Sequence, residues 1–321
     1  YNGRTRALAF LTPYEGHSAH DWYRGTADAV GQNVHFIERH RPRDVLIVSG
    51  DHVCRMHYGP LLDLHRRTGA DLTMAFKRMK ITGKSRFGMG VLGAGDRVVD
   101  YLEKPAVPPS DLVSLTVYLF RTEVLVRQVQ INAQNGRTFH LYDEVIPALV
   151  RNAHVQAYVF DGGWEYARPL SAYHDVHMRL VSPGGIEVPM DSVLTNLHQA
   201  CLADAPPAWM DHTARVARSR VAPGCRIRGE VQRSVLFPCV SVAHDAVVHD
   251  SVILGRTVIG RGARVSGAVM DKHVEIGEGA VIDGTDGLVA LGEGCKILPG
   301  AVLPPSTVVE PGATFPAGEG A

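Results

Sequence analysis

Three short stretches carry residues whose types and order suit the binding of a polar, phosphorylated ligand. Glu103-Lys104 sets opposite charges side by side, so that Lys104 can neutralise a phosphate while Glu103 accepts from sugar hydroxyls. A solvent-facing ion pair of little energetic weight has the same appearance. Asp51, in Gly50-Asp51-His52, closes the apolar run from Asp44 to Ser49. That position suits a metal- or substrate-binding carboxylate, and equally an ordinary turn or helix cap. Trp22-Tyr23-Arg24-Gly25-Thr26 offers flat aromatic surfaces, a glycine that lets backbone approach a ligand, and Thr26 as N-cap of a helix over Ala27 to Arg39. The free N–H groups at such a helix start favour a phosphate, and the same residues also describe a plain helix start with two packed aromatics.

These residues need a scaffold, and along the first half helix and strand alternate. Asp44 to Ser49 reads as a buried parallel strand delivering Asp51 at its carboxyl end, where ligand crevices of open α/β sheets lie. A helix over Tyr58 to Thr68 and a buried strand over Asp71 to Phe76 follow. Arg86 to Leu92 and Arg97 to Lys104 form a hairpin ended by Pro105, in which Gly88 leaves room for close ligand approach. Next come a strand over Ser114 to Phe120, a helix over Thr122 to Val129, and a helix over Asp143 to Arg151 with Pro147 in its middle. A strand over Val155 to Phe160 and a helix over Leu170 to Leu180 complete a doubly wound α/β domain with an antiparallel insertion.

After Val181 the composition shifts to Ser-Pro-Gly-Gly and then Ala205-Pro206-Pro207, which divides the chain into a domain over 1–181, a linker over 182–215 and a second domain over 216–321. Beyond Val216 helical periodicity gives way to a repeat. The segments starting at Val242, Ile259 and Ile276 are spaced 17 residues apart, with an echo starting at Leu291. An aliphatic residue, a small one four places on and another aliphatic two further mark a β-helix of short parallel strands, with about eighteen residues per three-sided coil. Such a domain serves as scaffold and oligomer interface.

Composition excludes other classes. A length of 321 residues suits two domains, and Lys+Arg 33 against Asp+Glu 33 with no basic stripe argues against a nucleic-acid partner. No run of about eighteen apolar residues exists to span a membrane. The five cysteines, Cys54, Cys201, Cys225, Cys239 and Cys295, are scattered without a C-x-x-C pair, as expected of reduced thiols in a cytoplasmic protein. The chain opens on Tyr1-Asn2-Gly3-Arg4 without an initiator Met, which reads as a fragment or incomplete gene product.

Trp22 to Val30, Ser49-Gly50-Asp51-His52-Val53 with Arg55-Met56, Phe87-Gly88, and Tyr101-Leu102-Glu103-Lys104-Pro105, followed by a β-helix, together resemble the bacterial glucose-1-phosphate adenylyltransferase family from about Trp22 to about Ile282. The resemblance implies a nucleotidyltransferase-type, Rossmann-like mixed-sheet domain followed by a left-handed parallel β-helix of hexapeptide repeats. It implies conversion of ATP and glucose 1-phosphate to ADP-glucose and pyrophosphate in glycogen or α-glucan synthesis. Tyr23, Gly88, Glu103, Lys104, Ser114, Tyr118 and Trp164 then stand on the sugar-phosphate side, Gly25 and Thr26 on the nucleotide side, and Asp51 as the catalytic carboxylate holding Mg2+. Sugar-phosphate effectors, and a homotetramer or a hetero-oligomer with an active paralogue, are implied as well.

The sequence also departs from the family pattern. The glycine-rich nucleotide loop belongs before Tyr1. Tyr166 occupies the position of the second metal carboxylate, with Glu165 and Asp161 out of register; His140 stands for an acidic residue and Thr116 for a glycine that would otherwise leave the sugar pocket open. An adenylyltransferase is therefore weighed against a catalytically inactive regulatory or structural homologue, with no turnover by the isolated chain but a retained sugar half-site as the expectation. A β-helix acyltransferase using His244, His249 or His273 as base ranks below both, because these residues lie within regular coils.

Overall fold

The computed structural model describes residues 9–13, 22–135, 137–185 and 205–316. The chain forms two compact units, Tyr1–Trp164 and Glu165–Ala321. Most of the expected linker over 182–215 lies outside the described residues, as do Tyr1 to Arg4 and Cys201. Among the described residues no helix is long and apolar enough to cross a membrane.

The first unit starts with two short helices, α1 (Thr26–Gln32) and α2 (Val34–His40), in place of the single helix the sequence predicts. Asn33 breaks it: its side-chain amide donates to Tyr23 Oη and to the Ala29 carbonyl, each at 2.8 Å. Such local side-chain bonds compete with helical ones. There follow β1 (Asp44–Val48), β2 (His52–Cys54), α3 (Gly59–Thr68), β3 (Leu72–Arg78), the hairpin of β4 (Met89–Leu92) and β5 (Val98–Leu102), and β6 (Leu112–Arg121). Then come α4 (Thr122–Asn135), α5 (Ile146–Asn152) and β7 (Val155–Val159). Pro147 does not interrupt a helix. A π-turn over Leu141–Val145 precedes α5, so Pro147 falls in the first turn, where a missing N–H costs nothing.

The sheet order is β5-β4-β6-β3-β7, with β1 paired to the far half of β6. β3 and β7 are parallel, whereas β6 runs antiparallel to β1, β3 and β4, which makes the sheet mixed. Leu72, Met74 and Phe76 of β3 pack with Phe120, Leu125 and Ile146 in one core. The expectation for β1 needs correction. Among the described residues it pairs with β6 alone, and Leu46 and Val48 are 36% and 50% exposed, so it is an edge strand rather than a buried one flanked by parallel neighbours.

In the second unit, two- and three-residue strands stack into three parallel sheets of seven, six and six strands. Val242, Ile259 and Ile276 lie in register on one face, as the 17-residue spacing requires. The Leu291 echo belongs to a different face: Leu291 pairs with Met270, while the Ile276 row continues at Ile297, because the turn at Gly284 to Gly287 lengthens that coil. Inward aliphatic residues form a single core running through the coils. On the third face the outward residues Val235, Val252 and Val269 are also buried. Helix α6 (Leu170–Leu180) packs there, His174 Nε2 meeting the Asp250 carbonyl at 2.7 Å and Arg220 Nε donating to the Leu180 carbonyl at 3.2 Å.

Truncating this core removes contacts that the stacked coils cannot close over. Ile259→Ala is expected to destabilise the β-helix unit by about 2–5 kcal/mol, whereas Val258→Ala, one residue away on the outer surface, stays within about 0.5 kcal/mol. Urea unfolding midpoints of the two variants check the contrast.

Candidate active site

The site is built on an irregularity in β6. Met74 of β3 faces Tyr118 and Phe76 faces Ser114, so Ala75 alone lies opposite Leu115, Thr116 and Val117. Two extra residues make β6 bulge, and Thr116 within the bulge has φ 52°, the left-handed region that a β-branched residue avoids. On this bulge Ser114 Oγ and Tyr118 Oη come within 3.5 Å, and both residues are buried. The Ser114 N–H donates to the Gly88 carbonyl at 2.8 Å, tying the bulge to the start of the hairpin.

Gly88 is required by packing. A Cβ there would collide with Tyr101 Oη and would lie 2.7 Å from Glu103 Oε2. Tyr101 Oη donates to Glu103 Oε2 at 2.9 Å, and Lys104 Nζ lies 3.3 Å from Glu103 Oε1. Burial, then the neighbouring Tyr118 and Glu103, push the Tyr101 phenol well above its ordinary value, so it remains a donor. The fold thus brings Gly88, Glu103, Lys104, Ser114 and Tyr118 together, and adds Tyr101, which the sequence reading passed over. A signal for it exists: Tyr101 and Glu103 are two apart on an extended segment and share a face.

The acidic end lies alongside. Asp51 accepts a short hydrogen bond from Ser49 Oγ, and its Oδ1 is 3.5 Å from His52 Nε2. The His52 ring meets Trp164 edge-on at 5.1 Å, and Trp164 meets Phe87 at 5.4 Å, next to Gly88. Burial holds the His52 imidazole below its ordinary value, opposed by Asp51 and by a backbone hydrogen bond to Leu115 of the bulge. Trp164 Nε1 is buried without a hydrogen-bond partner among the described residues.

The aromatic stretch at α1 is engaged with the protein itself. Tyr23 Oη donates to the Leu11 carbonyl at 2.7 Å, and Trp22 is 79% exposed. The close approach that Gly25 permits is taken by the Phe139 carbonyl, which accepts from the N–H groups of Ala27 at 2.8 Å and Asp28 at 3.3 Å. Thr26 is not the N-cap: the cap residue is Gly25, and Thr26 Oγ1 accepts from the Leu141 N–H at 3.0 Å. The Thr26 N–H reaches His140 Nδ1 at 3.4 Å, His140 stacks on Tyr142, and Lys104 Nζ sits 5.6 Å from the Tyr142 ring centroid. A chain of contacts therefore connects α1 to the Glu103-Lys104 end.

The mixed sheet with its bulged strand and the hexapeptide β-helix define a nucleotidyl transferase carrying a β-helical domain. A nucleotidyl transferase family model matches residues 9–211, and a GlmU-like C-terminal hexapeptide model matches residues 206–287. The chain is 35% identical to the glucose-1-phosphate adenylyltransferase of Thermomicrobium roseum, over 98% of this chain and 79% of the relative. It is 34% identical to the Thermotoga neapolitana enzyme of that name and 30% identical to the one from Acetivibrio thermocellus, over 75% and 84% of this chain. The chain spans 57% and 64% of those two relatives. It belongs to the glucose-1-phosphate adenylyltransferase family.

Nucleotidyl transferases of this kind usually use Mg2+, and the described residues do not complete a site for it. Among the described residues no group of three or more His, Cys, Asp or Glu side chains converges, and Glu165 is bound to Arg179 in a short ion pair.

Two outcomes follow from this geometry. Thr116→Gly removes left-handed strain worth about 1–2 kcal/mol at the cost of glycine's extra chain entropy, so a net gain of about 0.5–1 kcal/mol in thermal unfolding is expected. Burial also depresses the pKa values of His65 and His177, as it does for His52. Because the unfolded state then takes up protons first, stability is full above about pH 6.5 and falls as pH drops below it. Melting temperatures between pH 7.5 and 5 test the slope, which His52→Gln should reduce.

Proposed function

We propose that this cleft binds glucose 1-phosphate for adenylyl transfer from ATP, giving ADP-glucose and pyrophosphate. The observation that carries the proposal is the convergence of Gly88, Glu103, Lys104, Ser114 and Tyr118 around the β6 bulge. Lys104 neutralises the sugar phosphate, and Glu103 accepts from the sugar hydroxyls. Ser114, Tyr118 and the orphaned Trp164 Nε1–H supply further polar contacts. Tyr23 adds an aromatic wall on the sugar side. Gly25 and Thr26 are assigned to the nucleotide side by the family resemblance alone, since Phe139 and His140 engage the N–H groups there, and Asp51 is the catalytic carboxylate at the phosphate end.

In the reaction an oxygen of the sugar phosphate attacks the α-phosphorus of ATP and the bond to pyrophosphate breaks. Chemistry of this type depends on positioning and charge neutralisation more than on covalent participation by side chains. On this assignment sugar phosphates act as effectors, and the assembly is a homotetramer or a hetero-oligomer with an active paralogue. The β-helix histidines offer no competing centre: His244 and His273 are exposed, and His249 is paired with Glu230 at 3.0 Å.

Calorimetric titration with glucose 1-phosphate tests the proposal. Binding is expected, weakened about tenfold or more by Lys104→Ala through loss of a charge-assisted contact. Equal affinity in both proteins refutes it. Pyrophosphate release from ATP and glucose 1-phosphate with magnesium measures the transfer step; the isolated chain is expected to bind the sugar phosphate without turning over.

A further inference from the structure

Among the described residues Glu103 has one partner for each carboxylate oxygen, and the two partners differ in kind. Lys104 is its neighbour in sequence, half exposed, and held to Oε1 across 3.3 Å in contact with solvent. An exposed pair of that sort does little to fix a flexible carboxylate. Tyr101 is the opposite case. It is 5% exposed, its ring packs in the core with Phe76 and Tyr118, and its hydroxyl donates to Oε2 at 2.9 Å. Gly88 has no side chain to displace that hydroxyl, since a Cβ there would occupy its place. Tyr118, whose own hydroxyl lies 3.5 Å from Ser114 Oγ, adds to the burial in holding the Tyr101 phenol in its protonated, donating form.

We propose that Tyr101 is a positioning residue for sugar recognition: its buried hydroxyl locks Glu103 in one orientation, so that the remaining acceptor sites of the carboxylate are presented to the hydroxyls of a hexose 1-phosphate. The inference rests on the glucose 1-phosphate assignment of this cleft. An ionised carboxylate has about four lone-pair sites, and Tyr101 and Lys104 leave the others to a ligand. Without the tyrosine hydroxyl, Glu103 is free to turn and must be ordered at the expense of binding.

The test compares full-length wild-type protein with Tyr101→Phe, which keeps the ring and its packing, by calorimetry with glucose 1-phosphate, its deoxy analogues and inorganic phosphate. Wild-type protein is expected to prefer glucose 1-phosphate over at least one deoxy analogue. Tyr101→Phe should weaken glucose 1-phosphate about tenfold and narrow that preference, leaving inorganic phosphate, held through Lys104, unchanged. A purely structural role would weaken all ligands together, and that result overturns the proposal, as does unchanged glucose 1-phosphate binding. Glu103→Asp, which withdraws the carboxylate from Tyr101, is the second variant. It should show the same selective loss even if Tyr101→Phe does not fold, and unaltered selectivity overturns the proposal. Wild-type protein that fails to bind glucose 1-phosphate at all instead refutes the underlying assignment.

Discussion

The polar cluster around Ser114, Tyr118, Tyr101 and Glu103 depends on one mismatch in the sheet, three residues of β6 lying opposite the single Ala75 of β3. A regular ladder would send successive side chains to alternate faces and keep Ser114 and Tyr118 in step with β3. The bulge instead gathers them within 3.5 Å of each other and lets the Ser114 N–H capture the Gly88 carbonyl. That bond brings in the hairpin, and the hairpin brings Tyr101 and Glu103. The conformation has a cost, carried by Thr116 at a positive φ. Strain of this kind persists only where the surrounding structure over-determines it, and here buried neighbours on both sides do so.

The second unit solves a simpler problem. Each coil buries its aliphatic residues against the coil above and below, so the core extends along one dimension and no coil needs a distant partner. Serines contribute to the same stacking: Ser219, Ser234 and Ser251 accept, through their hydroxyls, the backbone N–H groups of Ser234, Ser251 and Ala268 at 3.1 to 3.2 Å. This polar ladder satisfies backbone groups at a buried corner without interrupting the hydrophobic rows. The third face departs from strict alternation because α6 covers it, so valines can face outward there and still be removed from water.

Charge in the first unit is arranged unevenly. Glu103 is held by a buried phenol and an exposed ammonium, whereas Asp51 is engaged locally by Ser49 and His52. Glu103 is therefore anchored by a core side chain, whereas Asp51 is held by its near neighbours in sequence. Burial of His52 beside Asp51 reinforces the contrast, since it disfavours the imidazolium that would otherwise balance the carboxylate.

Much of this was legible in the residues. The apolar runs gave β3, β6 and β7 nearly to their ends, the turn and Pro105 gave the hairpin, the hexapeptide pattern gave the β-helix, and the family resemblance marked Gly88, Glu103 and Ser114 in the cluster that the fold assembles. These are local properties: side-chain periodicity and turn chemistry act over a few residues and can be read from them. Tertiary structure alone decided that β1 lies at an edge, that Asn33 splits the first helix, and that the N–H groups after Gly25 go to Phe139. It alone placed Leu291 beside Met270, and Tyr101 against both Gly88 and Glu103. Each of these depends on which distant segment fills a given space or accepts a given hydrogen bond, and sequence spacing does not encode that until the chain has folded.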